Sequence, residues 1–242
     1  MYYFYRKKAK MYRFLFFLCI FLSAGNAFLQ AQDMNRTDSK GRRQGPWTDF
    51  YANGQKRYEG QFKNDCCVGE FKYYDEQGNL KAINTFEKSG TRALNKSYSN
   101  GKLIATGYYV NQKKEGEWRY YSKESGKLLL VEGNKEGKVH GTSTVYNTQN
   151  GRIAEEAFYV DGQRNGPAKQ YYDSGILMME CQYKNDQLDG PAKTYYPSGA
   201  LKESGVFQLG NKTGVWKTYN EDGDEISTDN YSTPTLGPTD TL

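Results

Sequence analysis

A glycine returns at an almost constant interval along most of this chain. Gly45, Gly69, Gly116, Gly141, Gly166, Gly190 and Gly214 open similar segments, and Arg92 stands where an eighth glycine would fall. The intervals are 24, 23, 24, 25, 25, 24 and 24 residues. An aromatic follows five residues after the opening glycine in seven of the eight segments: Phe50, Tyr74, Tyr121, Tyr146, Tyr171, Tyr195 and Tyr219. All three tryptophans, Trp47, Trp118 and Trp216, stand two residues after it. A unit this short cannot bury an apolar face by itself, so each copy must lean on the next. That leaves a solenoid or a long meander.

The turns decide which. A second glycine comes nine or ten residues after the first, as in Asn53-Gly54, Asn150-Gly151 and Asp222-Gly223, and such dipeptides close tight hairpins. Between these lie polar turns of another kind, such as Lys63-Asn64-Asp65 and Lys184-Asn185-Asp186. Each unit therefore holds two runs of about eight residues rich in Tyr, Phe, Thr and Val, which is a β-hairpin. In the second run a Leu or Ile (Leu80, Leu103, Ile153, Leu177, Leu201) precedes an aromatic (Phe86, Tyr109, Tyr159, Tyr183, Phe207) by six residues, an even spacing that predicts one shared face. The spacing of Trp and Tyr in the first run is odd. Either a bulge rotates the strand between them, or the sheet carries aromatics on both faces. The doublets Phe50-Tyr51, Tyr73-Tyr74, Tyr171-Tyr172 and Tyr195-Tyr196 favour two-faced coverage. The expected fold is all-β: an elongated single-layer antiparallel sheet of about eight consecutive 24-residue hairpins over residues 45–231, about sixteen strands.

Composition agrees. Leu, Ile, Val and Phe make up about a sixth of the chain, so order must come from tyrosines and backbone pairing. The 33 basic and 28 acidic residues give a net charge of +5, but five of the basic ones lie in residues 1–31, which hold no acid. Residues 32–242 are neutral, 28 against 28, which argues against nucleic acid and against an anionic membrane surface held by charge. The basic cluster precedes the apolar run Phe14–Leu22 and then small residues, the order of a secretory signal. The run is too short to span a bilayer as a helix. Cleavage after Ala31 or Ala27 is expected, with Met1 or Met11 as the start, and hence export to the periplasm or cell surface. Residues 32–44 read as a flexible leader and residues 232–242 as a frayed tail.

Tyr58-Glu59-Gly60-Gln61-Phe62-Lys63-Asn64, running on to Gly69-Glu70-Phe71, resembles the MORN repeat, and the whole 24-residue unit resembles its bacterial variant. The likeness covers about residues 45–231. It implies consecutive hairpins with glycines at turns and aromatics stacked between repeats, in proteins that serve as interaction or scaffold modules. Some members are tied to membranes through phospholipid, and some bacterial relatives are antitoxins. No catalytic residue carries over from the family. Departures are Arg92 and Ser97 in the third segment, and Ser143, Ala168 and Ala192 where Trp stands elsewhere.

Chemistry is sparse. The one histidine, His140, excludes sites that need two. Glu155-Glu156 and Glu221-Asp222 read as solvated faces, Cys66, Cys67 and Cys181 show no metal-ligand spacing, and adjacent cysteines cannot easily bridge each other. One bridge to Cys181 or to another chain is the alternative to free thiols. We expect no enzyme, no metal and no cofactor. The aromatics chiefly supply packing. If a stripe of them binds a ligand, the candidates are Tyr51, Tyr172 and Tyr196, the outer partners of their doublets, then Trp47 and Trp216. A protein partner leads, with glycan or lipid as the other ligands and a homodimer through the end strands as a further expectation.

Overall fold

The computed structural model describes residues 34–87 and 90–232. The segment read as an export signal lies outside the described residues, as does the tail beyond Ser232. The described chain is all-β, with eighteen strands and antiparallel pairing. Sixteen strands were expected. The other two are β1 (Arg36–Thr37) and a break at Asp189 that divides one first strand into β14 (Gln187–Leu188) and β15 (Gly190–Tyr195). Two compact units form, with the division falling inside β5 (Leu80–Phe86).

The first unit contains β1, β2 (Arg43–Phe50), β3 (Lys56–Lys63), β4 (Cys66–Tyr74) and the end of β5. Its core is a line of rings from successive strands. Trp47 meets Phe62 at 5.8 Å, Phe62 meets Phe71 at 5.1 Å and Phe71 meets Phe86 at 5.3 Å, all edge to face. Each such pair contributes about 0.5–1.5 kcal/mol beyond its buried area. The Arg43 guanidinium caps the line, 3.8 Å from the centre of Phe62.

Residues 34–44 are not a flexible leader. Arg36 pairs with Gln44 and Thr37 with Arg43. Ahead of them Asn35 acts as a side-chain strand: its Nδ2 donates to Thr48 O at 2.8 Å, while Thr48 N–H donates to its Oδ1 at 2.7 Å. Asp38 closes the turn, accepting from Lys40 N, Arg42 N and Arg42 Nε. The Arg42 side chain beside it holds its carboxyl at about 2. The segment looks like a linker because this edge is covered by polar groups alone.

The second unit runs from Leu80–Asn84 and Thr91 onwards. Its strands alternate first and second runs: β6 (Arg92–Ser99) and β7 (Lys102–Val110), β8 (Lys113–Tyr121) and β9 (Leu128–Lys135), β10 (Lys138–Tyr146) and β11 (Ile153–Val160), β12 (Gln163–Tyr171) and β13 (Leu177–Lys184), β14 and β15 with β16 (Leu201–Gln208), then β17 (Asn211–Tyr219) and β18 (Glu225–Tyr231).

Two irregularities recur in the register. At the opening glycine, two residues loop away from the preceding strand: Gly107↔Trp118 is followed directly by Tyr108↔Glu115, leaving Gly116 (φ 70°) and Glu117 out of that ladder. Before the hairpin turn the second strand holds one extra residue, as Leu129 does between Tyr120↔Leu130 and Tyr121↔Leu128. Neither bulge interrupts the first strand from Trp118 to Tyr121, so Trp and Tyr point to opposite faces, as the doublets suggested. The extra residue does overturn the other parity expectation. Leu177 pairs with Tyr171, while Met179, beyond the extra Met178, pairs with Gln170, so Leu177 and Tyr183 do not share a face.

One face is packed. Ala157, Ala168, Cys181, Ala192 and Trp216 form its core, covered by Tyr159, Met179, Tyr183, Leu188 and Phe207. Size is exchanged across most of the repeat boundaries. Where the first strand offers a ring, the strand before it offers glycine, and a Cβ on that glycine would lie far inside contact distance of the ring. It would come within 2.4 Å of Phe71 at Gly60, 2.4 Å of Trp118 at Gly107 and 2.2 Å of Trp216 at Gly205. Where the first strand offers alanine the partner grows: Ala157 faces Ala168, and Ala168 faces Cys181. Buried indole N–H groups are satisfied by the preceding repeat, Trp118 Nε1 donating to Tyr108 O at 3.0 Å and Trp216 Nε1 to Val206 O at 3.1 Å.

The third segment is shifted by one residue from the count based on glycines. Tyr98 pairs with Leu103 past the extra Ile104, as Tyr121 does with Leu128 past Leu129. Ala93, not Arg92, thus holds the glycine position, and Tyr98 is the aromatic that seemed to be missing at Ser97. Like the other first strands, it keeps a regular ladder with the strand that follows, here β7 from Arg92 to Ser97. The ring position is taken by Asn95, 4% exposed. Its Nδ2 donates to Asn84 Oδ1 at 2.6 Å, and its Oδ1 accepts from Ser97 Oγ at 2.8 Å.

Candidate functional site: the open face of the second unit

The open face carries the odd offsets of each first strand and their partners. At offset five, tyrosine hydroxyls reach back to a glutamate of the preceding second strand. Tyr74 donates to Glu59 at 2.6 Å in the first unit, and in the second Tyr171 donates to Glu156 at 2.8 Å and Tyr195 to Glu180 at 2.8 Å. Burial, then the neighbouring carboxylate, pushes each of these phenols up to about 12. The folded value exceeds the unfolded one near 10, so this contribution is complete below pH 10 and is lost as pH rises through 12. In a spectrophotometric titration these three tyrosines should ionise as a late phase, reduced by three groups after Tyr74→Phe, Tyr171→Phe and Tyr195→Phe together; Tyr120, which burial and Glu132 also push up, stays later still. A single phase near pH 10 in the unsubstituted protein would contradict the ladder.

Beside the ladder the open face of the second unit turns apolar. Phe158, Val206 and Val215 are 36%, 44% and 52% exposed, and Pro167 and Pro191 are exposed with them. The register sets them in one row: Thr142↔Phe158, Pro167↔Gln182, Pro191↔Val206 and Val215↔Asn230. The prolines fit inside a sheet because they directly follow the opening glycine, where the ladder is already broken. Lys169, Lys193 and Lys217, two residues further along their strands, border the row, and Lys217 pairs with Glu225 at 2.7 Å. Two shallow depressions open along it. One of about 280 Å³ lies between Pro167, Glu180, Gln182 and Pro191, and one of about 220 Å³ between Thr142, Glu156, Phe158 and Pro167.

The proposed aromatic stripe is not assembled. Tyr51, Tyr172 and Tyr196 are half-buried, and each donates its hydroxyl to the backbone of the next repeat: to Tyr74 O at 2.8 Å, Tyr195 O at 2.7 Å and Tyr219 O at 2.9 Å. They tie repeats together rather than face a ligand. Trp216 is 2% exposed, and its indole is core, so it belongs to no surface stripe. Trp47 is half-buried and borders a depression of about 260 Å³ with Met34, Pro46 and Glu59.

A larger concavity than these lies on the packed side near the hairpin turns, a groove of about 680 Å³ lined by Ser97, Ile104, Tyr109, Tyr120, Tyr121, Leu129 and Thr148, among others. It opens because Ser97, Ala105 and Tyr120 follow one another across the strands, so two small residues leave a gap beside a ring. The residues singled out for chemistry do not converge. Glu155 pairs with Arg164 at 3.1 Å, Glu156 accepts from Tyr171, and His140 Nδ1 stands 3.6 Å from Asp161. Cys66, Cys67 and Cys181 are free thiols, and burial pushes the last two up. Among the described residues no three His, Cys, Asp or Glu gather where they could hold one metal ion.

Hairpin after hairpin, with glycine bulges between repeats and aromatics packed across them, defines a β-hairpin repeat protein. The chain carries repeats of the MORN family: the MORN repeat variant matches residues 43–64, 68–88, 164–185 and 188–208, and the MORN repeat matches 58–75. No curated protein matches it. Among solved structures, a crystal structure of TarM aligns with a TM-score of 0.30 at 17% identity, over 37% of this chain and 18% of that one. A crystal structure of an S. aureus TarM mutant in complex with Fondaparinux, alpha-GlcNAc-glycerol and UDP aligns with a TM-score of 0.31 at 15% identity, over 40% and 19%. This chain spans less than a fifth of the length of either.

Proposed function

We propose that this protein is a non-enzymatic, exported interaction scaffold of the cell envelope, and that it holds a protein partner across the apolar row of its second unit. The observation that carries this is the exposure of Phe158, Val206 and Val215, with two prolines, in one row of the open face bordered by Lys169, Lys193 and Lys217. Contiguous apolar surface with a polar rim is the form of a protein-binding patch. Export rests on the basic cluster and the apolar run Phe14–Leu22.

A photo-crosslinking side chain in place of Val215 should capture one envelope protein that the same side chain in place of Asn53, on a turn of the first unit, does not. Purified with that partner, the triple variant Phe158→Asp, Val206→Asp, Val215→Asp should bind at least tenfold more weakly at unchanged thermal stability, since buried apolar anchors dominate such interfaces. Equal affinity in the triple variant rules the row out. A mature N-terminus other than the residue after Ala27 or Ala31 counts against export by this signal.

A further inference from the structure

We infer that the groove beside the third repeat is a binding site for a neutral sugar, one or a few pyranose rings of an oligosaccharide. The site is separate from the apolar row, and its residues, 97 to 148, fall outside the four stretches that match the repeat variant. At about 680 Å³ the groove is within the range of small-ligand sites. Its best-fixed wall is Tyr120. The Lys114 ammonium donates to Tyr120 Oη at 2.5 Å, and the Tyr120 hydroxyl donates to Glu132 Oε1 at 2.6 Å. Lys114 also lies 4.8 Å from the ring centre of Trp118, and Trp118 meets Tyr109 edge to face at 4.9 Å. The ring is held in place before any ligand arrives, which lowers the cost of ordering a platform.

Charge selects the ligand class. Lys114 is already matched by Glu132 at 3.9 Å, and the two charged residues at the rim, Lys123 and Glu124, have opposite signs. Nothing in the groove recruits an anion or a cation. Ser97, Ser122 and Thr148 line it beside the tyrosines; the protons of the two serines go to Asn95 and Glu124, which leaves their oxygens as acceptors. A flat ring face with donors and acceptors around it suits a pyranose, whose C–H face stacks on an aromatic while its hydroxyls exchange hydrogen bonds at the rim. The gap itself comes from Ser97, which stands in the row where the next repeat has Tyr120.

The test is titration of the full chain with maltotriose and with the N-acetylglucosamine trimer, followed by amide NMR, with glucuronate and inorganic phosphate as anionic comparisons. The expected result is saturable perturbation of groove residues by at least one neutral trisaccharide and by neither anion. Ser97→Tyr fills the gap with the residue type the next repeat uses, and should weaken binding at least tenfold in a chain that circular dichroism shows to be folded, at some cost in thermal midpoint because Asn95 loses the Ser97 hydroxyl. Should Ser97→Tyr fold poorly, Ser97→Phe is the second filler. No saturable binding of either neutral sugar, binding only of the anions, or equal affinity in a folded filler variant would each overturn the inference. The triple variant of the apolar row should bind sugar as the unsubstituted chain does, so the two sites fail independently.

Discussion

Gly107→Ala is expected to destabilise the second unit by about 3 kcal/mol, the upper part of the usual range for overpacking. The added Cβ would lie 2.4–2.5 Å from three atoms of the Trp118 indole. The indole cannot retreat, because its Nε1 is bonded to Tyr108 O and Tyr109 packs against it edge to face. Urea unfolding read by tryptophan fluorescence measures the loss. The double-mutant cycle is the sharper experiment. Trp118→Ala alone should cost about 3–5 kcal/mol. With both substitutions the new methyl enters space the indole has left, and the pair should fall short of additivity by about 1–3 kcal/mol. The chain already contains the product of that exchange, in the facing pair Ala157 and Ala168, each 6% exposed or less. Additive losses would show that ring and glycine are not coupled.

Trp216→Ala should cost about 3–5 kcal/mol, the usual loss for deleting a buried indole. It removes the bond to Val206 O, the edge-to-face contact with Phe207 at 4.9 Å and the Lys212 ammonium 4.0 Å from the ring centre. Trp47→Ala should cost clearly less, since Trp47 is half-buried and loses mainly its contacts with Phe62 and Arg43. Thermal unfolding of the two variants side by side settles the ranking. Equal or reversed losses would mean that position two of the repeat has the same role at both ends of the array.

The hairpin architecture could be read from the spacing of the glycines because each one stands at a backbone position that other residues avoid. Gly45, Gly69, Gly116 and Gly214 all have φ between 63° and 71°. The same dependence caused the error at the third repeat. With no glycine to mark the bulge, counting fell one residue short, and Ser97 was taken for the position that Tyr98 occupies. The reciprocity of ring and glycine was present in the sequence and missed: Gly60 and Phe71, Gly107 and Trp118, and Gly205 and Trp216 are all separated by 11 residues. Seeing it requires comparing the second strand of one repeat with the first strand of the next, across the unit that periodicity suggests. The tyrosine doublets misled for a related reason. An outer position on a strand reads as exposed, but near a hairpin turn a phenol is long enough to reach the carbonyl of the neighbouring turn, as Tyr51, Tyr172 and Tyr196 do. The apolar row had no sequence signal of its own, because prolines and valines one residue past a glycine look like ordinary turn and strand residues.

The exchange of size across repeat boundaries sets where an array of this kind can change length. Taking out residues 168–191 would bring Ala192 up against Ala157, one small pair replaced by another, and the two ladders would close again. Taking out 118–142 would set Ser143 against Gly107, with neither side filling the space that Trp118 occupied. Gain or loss of whole repeats is therefore cheap inside the alanine block and costly at its borders. The tryptophans that flank this block fix the neighbours of their own repeats, while the segment between them is free to be lengthened or shortened.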